Sequence, residues 1–467
     1  MKRRVGGLET EFGLVCVDSQ GGRALEPEQA ARELFKPVVR MGRSSNVFLT
    51  NAARLYLDVG SHPEFATAEC DDWWDLVAQD RAGERIFADL AAQADAAFAE
   101  RGEDARIHLF KNNVDSAGNS FGSHENFLVD RRGEFTRLPE HLVPFLVTRQ
   151  IITGAGGIVT DDAGESQYVF SRRSDHMWEA VSSATTRTRP IINTRDEPHG
   201  DASRYRRLHV IVGDSTMSEV STWLRFATTD LVLRVIESGR ALPSLALADP
   251  IAAIRTVARD LTGTAPLPLA AGGSITALEL QHRHLALAEA IAEPEDAEAL
   301  ELWRRSLDAV ATSDPGSIDR AWARTHLDWA IKQDLLLGAA SRKELALDSP
   351  AIQRLDLAYH DIAPQRGLFF ALQRCGLAPA VLEDDRIDAA RAVAPATTRA
   401  HLRGRVVTEA QRHGVDHVVD WTTVRLGRQG AAPVSLMDPF ETESAAIDAI
   451  IDEIRSTGTD AARTPLP

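Results

Sequence analysis

Glu9 and Glu11 place two carboxylates close together near the start of the chain, within residues 8–13. In an extended strand, side chains two residues apart point to the same face and lie roughly 7 Å apart. Two carboxylates at that distance repel each other unless a cation lies beside them. The pair therefore predicts a strand whose polar face binds a cation.

A second segment, residues 51–64, combines a cation, a phenol and two carboxylates. On a strand, Arg54, Tyr56 and Asp58 would share one face, backed by an apolar row. That alternation fits a half-buried edge strand with a solvated polar face equally well. One arginine neutralises only one carboxylate, so the acidic residues of both segments together favour a magnesium site. These residues are Glu9, Glu11, Asp58 and Glu64.

The common glycine-rich nucleotide-binding motifs are absent from the sequence. It contains neither GxxxxGK[ST] nor GxGxxG, and it lacks the G-x-S-x-G motif of serine hydrolases. Residues 153–157 are rich in glycine but have no lysine, which favours a plain loop. A bound nucleotide would therefore depend on metal-binding carboxylates of a sheet and on arginines.

Two further segments carry polar side chains in suggestive patterns. His124 and Asn126 would share a strand face, either beside a ligand or as buried, hydrogen-bonded residues. Arginines are dense between residues 182 and 219, which predicts a positive patch for phosphate or for a carboxylate-rich partner. The alternative is a solvated loop paired with neighbouring acids. The arginines are Arg187, Arg189, Arg195, Arg204, Arg206 and Arg207.

Composition excludes several classes of protein. The chain has 467 residues, a formal net charge of −16 and an apolar fraction of 44%. The negative charge argues against nonspecific binding of nucleic acid or of an anionic membrane. No signal-peptide core and no apolar run of about 18 residues occurs. Cys16, Cys70 and Cys375 lack metal-ligand spacing, so we expect buried thiols in a cytoplasmic protein.

The order of elements predicts an α+β fold. Strand-like alternation dominates to about residue 135, interrupted by a helix over 74–99. Helices follow, including a strongly amphipathic one over 217–237 and another over 321–337. The composition changes near residue 395, which predicts a large domain over 1–395 and a small mixed domain over 396–467. An antiparallel sheet backed by helices would leave one polar face open to a ligand.

Several long motifs closely resemble the Pup ligase family, whose members attach the prokaryotic ubiquitin-like protein Pup to lysines of target proteins. The resemblance extends to about residue 440. The motifs are residues 7–13, 42–49, 53–64, 110–113, 182–187, 189–199 and 355–362. Ala52 departs from the glycine usual in the family, and Phe65 replaces a common tyrosine.

The resemblance implies a glutamine-synthetase-like fold, with a curved antiparallel sheet that holds ATP and Mg²⁺, helices behind it and a small C-terminal domain. By motif, the Mg²⁺ ligands would be Glu9, Tyr56 and Glu64. Arg54, Thr67 and Trp421 would contact ATP, and Asp58 would be the catalytic base. Glu64 and Thr67 are three residues apart and cannot share a regular strand face, so an irregularity is expected between them.

The implied reaction is ATP-dependent ligation in the bacterial cytoplasm. The γ-carboxylate of the C-terminal glutamate of Pup would be phosphorylated and then joined to a substrate lysine by an isopeptide bond. A depupylase or deamidase of the same family is the alternative, but it needs an extra loop for which residues 16–45 leave no room. A small-molecule carboxylate–amine ligase and a non-catalytic Pup-binding protein are further alternatives. The arginines near residue 207 are candidates for binding the acidic Pup, or for binding ATP.

Overall fold

A computed structural model describes residues 1–457 except 43, 59, 116, 132–137, 162, 185–188 and 315. Strands dominate up to residue 210 and helices from there to residue 392. The strands are β1 (Gly6–Glu11), β2 (Gly13–Val17), β3 (Arg23–Leu25), β4 (Asn46–Phe48), β5 (Arg54–Leu57), β6 (Pro63–Ala66), β7 (Arg106–Phe110), β8 (Ser123–Asp130), β9 (Gly157–Thr160), β10 (Ser166–Val169), β11 (Glu179–Ser182), β12 (Pro190–Asn193), β13 (Tyr205–Val210), β14 (Leu267–Pro268), β15 (Ser274–Ile275), β16 (His417–Val419), β17 (Thr423–Leu426) and β18 (Val434–Ser435). The α-helices are α1 (Pro27–Gly42), α2 (Trp73–Glu100), α3 (Leu138–Thr148), α4 (Gln150–Thr153), α5 (Glu219–Glu237), α6 (Pro250–Arg259), α7 (Ala277–Glu289), α8 (Ala297–Ala311), α9 (Ile318–His326), α10 (Asp328–Lys343), α11 (Pro350–Tyr359), α12 (Leu368–Arg374), α13 (Asp384–Ala392), α14 (Ala400–His413) and α15 (Ala445–Thr457).

The chain divides into two compact units, each assembled from separate stretches of sequence. The helical unit comprises Met1–Arg4, Lys111–Asp196 and Leu208–Val381. The carboxylate unit comprises Val5–Phe110, Glu197–Arg207 and Leu382–Pro467. Both units contain helices and sheet, which confirms the predicted α+β class. The predicted division into 1–395 and 396–467 stays a prediction.

In the carboxylate unit, four antiparallel strands are hydrogen-bonded in the order β1–β6–β5–β4. Residues paired across such strands lie on the same face. One row of pairs therefore aligns Glu11, Glu64, Tyr56 and Asn46, and the next aligns Glu9, Ala66, Arg54 and Phe48. The register gathers onto one face the polar residues that the sequence spreads over about fifty positions.

Helix α2 covers the opposite, apolar face of these strands. It begins where Asp72 caps its first turn by accepting a hydrogen bond from the Asp75 backbone N–H. Phe12 packs against Phe87 of α2 with ring centroids 4.9 Å apart. A Cβ atom on Gly83 would lie 2.5 Å from the ring of Phe65, so glycine permits the close contact between α2 and β6. This packing holds the polar face in register from behind.

The C-terminal part of the carboxylate unit has its own apolar cluster. Helices α14 and α15 pack against strands β16–β17–β18. The cluster contains Leu402, Val406, Ala410, Val424, Leu426, Leu436, Ile447, Ile450, Ile451 and Ile454. The turn between β16 and β17 carries Trp421.

In the helical unit, β11–β12–β13–β8 follow one another, with β11 and β12 parallel. Helix α5 was expected to be amphipathic, but it is buried on nearly all sides. Its polar residues are instead paired inside the fold: Arg225 bonds Glu125 at 3.1 Å, and Asp230 bonds Arg4 at 2.6 Å. Polar residues on a helix therefore did not mark a solvent-facing side, because partners from distant segments satisfy them.

The predicted helix over 321–337 is two helices, α9 and α10. Leu327 between them is extended, with φ −107° and ψ 126°. The buried Asp328 carboxylate accepts hydrogen bonds from the backbone N–H groups of Met217 and Ser218 and from the Tyr359 hydroxyl. These long-range bonds fix the start of α10 at Asp328.

Cys16 and Cys70 are buried, as expected, but Cys375 is exposed, so the prediction of three buried thiols is wrong. Cys375 follows the last turn of α12, beyond the packed part of that helix. Among the helices within residues 1–457 that the structure describes, none is long and apolar enough to span a membrane.

Lys332 on α10 is a buried cation in the helical unit, with 1% of its side chain exposed. Its ammonium donates to the Gly156 carbonyl oxygen at 2.9 Å, contacts His360 Nε2 at 3.0 Å and pairs with Asp356 Oδ1 at 2.5 Å. Burial would raise the pKa of Asp356, but the charges of Lys332, His360 and Arg172 together outweigh that effect and lower it. Removing Lys332 would leave a buried carboxylate without its main counter-charge.

We therefore expect Lys332→Met to lower the free energy of unfolding by about 3–5 kcal/mol, the usual cost of breaking a buried ion pair. Lys343→Met, at the exposed end of the same helix, is the matched control and should change it by less than about 0.5 kcal/mol. Urea denaturation at pH 7 measures both. Equal stability of the two variants would contradict a structural role for the buried pair.

Candidate active site

The centre of the polar face is a cluster of three carboxylates. Glu11 and Glu64 are paired across β1 and β6, and both are buried. Asp58 follows β5 and is exposed. One carboxylate oxygen from each of these residues lies within 4.8 Å of the other two. Such a group of oxygen ligands fits Mg²⁺, a hard cation that prefers carboxylates.

The pKa of Glu64 indicates that the cluster carries negative charge that no cation among the described residues balances. Burial and the negative charges of Glu9 and Glu11 raise the pKa of the Glu64 carboxyl well above its ordinary value. The Tyr56 hydroxyl donates a hydrogen bond to Glu64, and burial followed by the charge of Glu9 raises the pKa of Tyr56. The phenol therefore stays protonated beside the carboxylate. A divalent cation at this position would relieve the repulsion that otherwise favours protonation of Glu64.

Asp58 lies at the start of the tight connection between β5 and β6. Its backbone N–H donates to the His62 carbonyl at 2.9 Å, and its carbonyl accepts from the Ser61 N–H at 3.0 Å. Gly60 and Ser61 have positive φ values of 86° and 63°, which this turn requires. The turn places an exposed carboxylate beside the buried pair. Solvent or a substrate amine can therefore reach Asp58, as the role of base requires.

The second row of the sheet carries Glu9 and Arg54 on either side of Ala66. The Arg54 guanidinium lies over the Tyr56 ring at 4.4 Å, and its Nε donates to Asn46 Oδ1 at 2.8 Å. Glu9 lies 3.8 Å from Nη1 of Arg207. The residue between Glu9 and Arg54 in this row is Ala66, whose side chain is only a methyl group.

Thr67 lies one residue beyond the end of β6. The pairing of β6 with β1 and β5 is regular from Glu64 to Ala66, so the irregularity expected from the spacing is not seen within this strand. Its hydroxyl is buried and accepts a hydrogen bond from the Leu8 N–H at 3.0 Å, while its own N–H donates to the Leu8 carbonyl at 2.9 Å. Thr67 thus attaches β1 to the end of β6. Its contact with ATP stays a prediction.

Trp421 packs against the edge strand of the same four strands. Its ring lies 5.0 Å from that of Phe48 in an edge-on arrangement, and 6.3 Å from the ring of His199. Because Phe48 is paired with Arg54, Trp421 lies beside the row that contains Arg54, although Trp421 and Arg54 are far apart in the sequence. The sequence suggested no role for Phe48, which lies on the functional face two residues after Asn46.

Arg204 and Arg207, two arginines of the predicted patch, have different surroundings. Arg187 falls outside the described residues. Arg204 is exposed and pairs with Asp438 at 3.2 Å, whereas Arg207 is mostly buried, 3.4 Å from Glu197 and 3.8 Å from Glu9. In the helical unit, His124 is half-buried with its ring 5.2 Å from that of His209. Arg207 and Glu11 are the residues whose importance the sequence left open and the geometry indicates.

Similarity to known proteins was found over almost the whole chain. The family model described as "Pup-ligase protein" matches residues 4–425. The Pup–protein ligase of Brachybacterium faecium is 69% identical over 100% of both chains. That of Paenarthrobacter aurescens is 51% identical, over 97% of this chain and 100% of the relative.

Solved structures agree with this similarity. The crystal structure of the complex between Pup and its ligase PafA has a TM-score of 0.92 and 43% identity, over 98% of this chain and 93% of that one. The structure of the Pup ligase PafA in complex with ADP has a TM-score of 0.84 and 44% identity, over 93% and 95%. The carboxylate face, its register and these full-length similarities lead to one conclusion: the chain belongs to the Pup-ligase family.

Proposed function

We propose that this chain is an ATP-dependent Pup–protein ligase. The observation that carries the proposal is the cluster of Glu11, Glu64 and Asp58 on one sheet face, in a chain 69% identical to a Pup–protein ligase over its full length. One solved relative is bound to Pup and another to ADP, the nucleotide that remains after transfer of the γ-phosphoryl group. The substrates would be Pup, ATP and lysine-bearing proteins. We place the enzyme in the bacterial cytoplasm.

The residues of the carboxylate face would hold Mg²⁺ through Glu9, Tyr56 and Glu64, and we add Glu11 because it is paired directly with Glu64. When bound, Mg²⁺ neutralises charge on the transferring phosphoryl group. Tyr56 orients the Glu64 carboxylate by its hydrogen bond. ATP would contact Arg54, Thr67 and Trp421.

The reaction has two steps, because the carboxylate needs a better leaving group before an amine can attack it. The γ-carboxylate of the C-terminal glutamate of Pup attacks the γ-phosphorus of ATP, so that ADP leaves and an acyl phosphate forms. The lysine amine then attacks the acyl carbon, phosphate leaves and the isopeptide bond forms. The lysine ammonium must lose a proton first, and the exposed Asp58 carboxylate would accept it. Arg54, over the Tyr56 ring, and Arg207, near Glu9, would oppose phosphate charge at this face.

The ligase is favoured over the hydrolytic alternative by the segment between β2 and β4. In the structure, β3 and α1 take up most of residues 18–42, so the described residues of this segment contain no extended loop. The relatives from Brachybacterium faecium and Paenarthrobacter aurescens are also both ligases by name.

Asp58→Asn should reduce the ligation rate by about 10²–10⁴-fold, the usual contribution of a general base, because the amide cannot accept the lysine proton. Folding and ATP affinity should change little. The assay combines Pup ending in glutamate, ATP, Mg²⁺ and a lysine-bearing protein, read by gel shift and by ADP release. Asp385→Asn, on the exposed surface of α13, is the control. Ligation by Asp58→Asn at the wild-type rate would remove Asp58 from the role of base.

Glu64→Gln and Glu11→Gln should each weaken binding of Mg-ATP at least about tenfold, because each removes a charged oxygen ligand from the buried cluster. Calorimetric titration with Mg-ATP measures this, with the exposed Glu103→Gln as the control. Glu9→Gln, measured in the same way, tests whether Glu9 and Glu11 both bind the cation. If Glu9→Gln weakens binding and Glu11→Gln does not, Glu11 is not a ligand.

We expect Arg204 to bind Pup and Arg207 to bind ATP. Arg204→Glu should weaken Pup binding and leave ATP affinity unchanged, because Arg204 is exposed and Pup is acidic. Arg207→Glu should weaken ATP binding, because this residue faces Glu9 in the site. Wild-type affinity for Pup should also fall as salt rises. Loss of ATP binding in Arg204→Glu with unchanged Pup affinity would reverse the assignment.

A further inference from the structure

Arg403 on α14 is a fully buried cation at the edge of the candidate nucleotide site, with none of its side chain exposed. Its Nη1 donates to Glu69 Oε1 at 2.9 Å and to the Trp421 carbonyl oxygen at 3.0 Å. Its Nη2 pairs with the other Glu69 oxygen. One guanidinium thus joins a carboxylate to the backbone of Trp421.

The same guanidinium also contacts two aromatic rings. Its central carbon lies 5.2 Å from the centre of the Trp421 ring and 5.5 Å from that of Phe48. The two rings meet edge-on at 84°. A cation within about 6 Å of an aromatic ring is attracted to its face. The backbone bond, the cation and the edge of Phe48 together fix the plane of the indole, which itself remains partly exposed.

Glu69 holds Arg403 in place. Burial would raise the pKa of Glu69, but the charges of Arg403 and Arg399 outweigh that effect and lower it to about 2. Glu69 is therefore ionised at neutral pH. Arg399 bonds Glu69 Oε1 at 2.9 Å and donates to the Leu436 carbonyl at 2.8 Å. Since Glu69 follows Thr67 by two residues, it attaches the end of β6 to the turn that carries Trp421.

Gly404 permits this arrangement. A Cβ atom at Gly404 would lie 2.6 Å from the Thr50 carbonyl oxygen, so α14 approaches the chain just after β4 more closely than any other residue allows. The neighbouring Arg403 is thereby brought within reach of Phe48.

We infer that Arg403, held by Glu69, is a positioning residue that fixes the Trp421 indole as a stacking surface for the adenine base of ATP. The inference rests on the proposed function, in which Trp421 contacts ATP. Stacking depends on the orientation of the ring plane. A lysine would keep the charge at position 403 but lose the planar fork that bonds Glu69 and the Trp421 carbonyl together.

The test compares kcat and KM for ATP, at saturating Pup and substrate protein, in Arg403→Lys, Trp421→Ala and the double variant. Arg405→Lys is the control, since Arg405 lies on the same helix, partly exposed and paired with Asp448 at 2.7 Å. We expect Arg403→Lys to raise KM for ATP about fivefold with kcat unchanged, the size of one cation–π contact. The double variant should match Trp421→Ala, because Arg403 acts through the indole.

Phe48→Leu provides a second route if Arg403→Lys folds poorly, since it removes the edge-on contact and leaves the ion pairs with Glu69 intact. It should also raise KM for ATP without changing kcat. The inference is overturned if Arg403→Lys and Phe48→Leu both keep the wild-type KM, or if Arg403→Lys raises KM equally in the Trp421→Ala background. A wild-type KM in Trp421→Ala overturns it as well. That result leaves Pup ligation itself established, whereas failure of the proposed function would appear as no ligation by the wild-type protein.

Discussion

Mutual repulsion between carboxylates on one sheet face is the interaction on which the rest of the carboxylate unit depends. Glu11 and Glu64 are both buried and lie directly opposite each other on β1 and β6. Burying two neighbouring carboxylates is costly, and the Tyr56 hydrogen bond to Glu64 and the apolar packing behind the sheet both offset this cost. Helix α2, closely packed on Phe65 through Gly83, provides that packing. A divalent cation bound at this face would relieve the repulsion between the two carboxylates.

The cations around this face have distinct surroundings, although the sequence shows them only as arginines. Arg54 lies in the sheet over Tyr56, Arg207 faces Glu9, and Arg403 is buried behind the aromatic edge. A guanidinium suits all three positions because it can stack on a ring and donate several hydrogen bonds in one plane. In a chain with a net charge of −16, these local positive charges are what make binding of a polyanion at an acidic face possible.

The carboxylate unit is built from three separate stretches of the chain, and each contributes to the site. The first brings the carboxylates, the short middle stretch brings Arg207, and the last brings Trp421 and Arg403. The last stretch is anchored by ion pairs to Glu69 as well as by its own apolar cluster. The family match over residues 4–425 includes both the carboxylate strands and Trp421.

The sequence by itself determined the α+β class, most of the elements and the family, because strand alternation, helical periodicity and long motifs are local properties. It also indicated the carboxylate strands, since Glu9 and Glu11 are two residues apart. Only the tertiary structure decided that Glu11 is paired with Glu64, that Arg207 faces Glu9 and that Arg403 holds Trp421. Sheet register and long-range ion pairs join residues far apart in the chain, and no local pattern encodes them. The buried α5, the split at Leu327 and the exposed Cys375 were mispredicted for the same reason: burial depends on what packs against a segment, not on the segment alone.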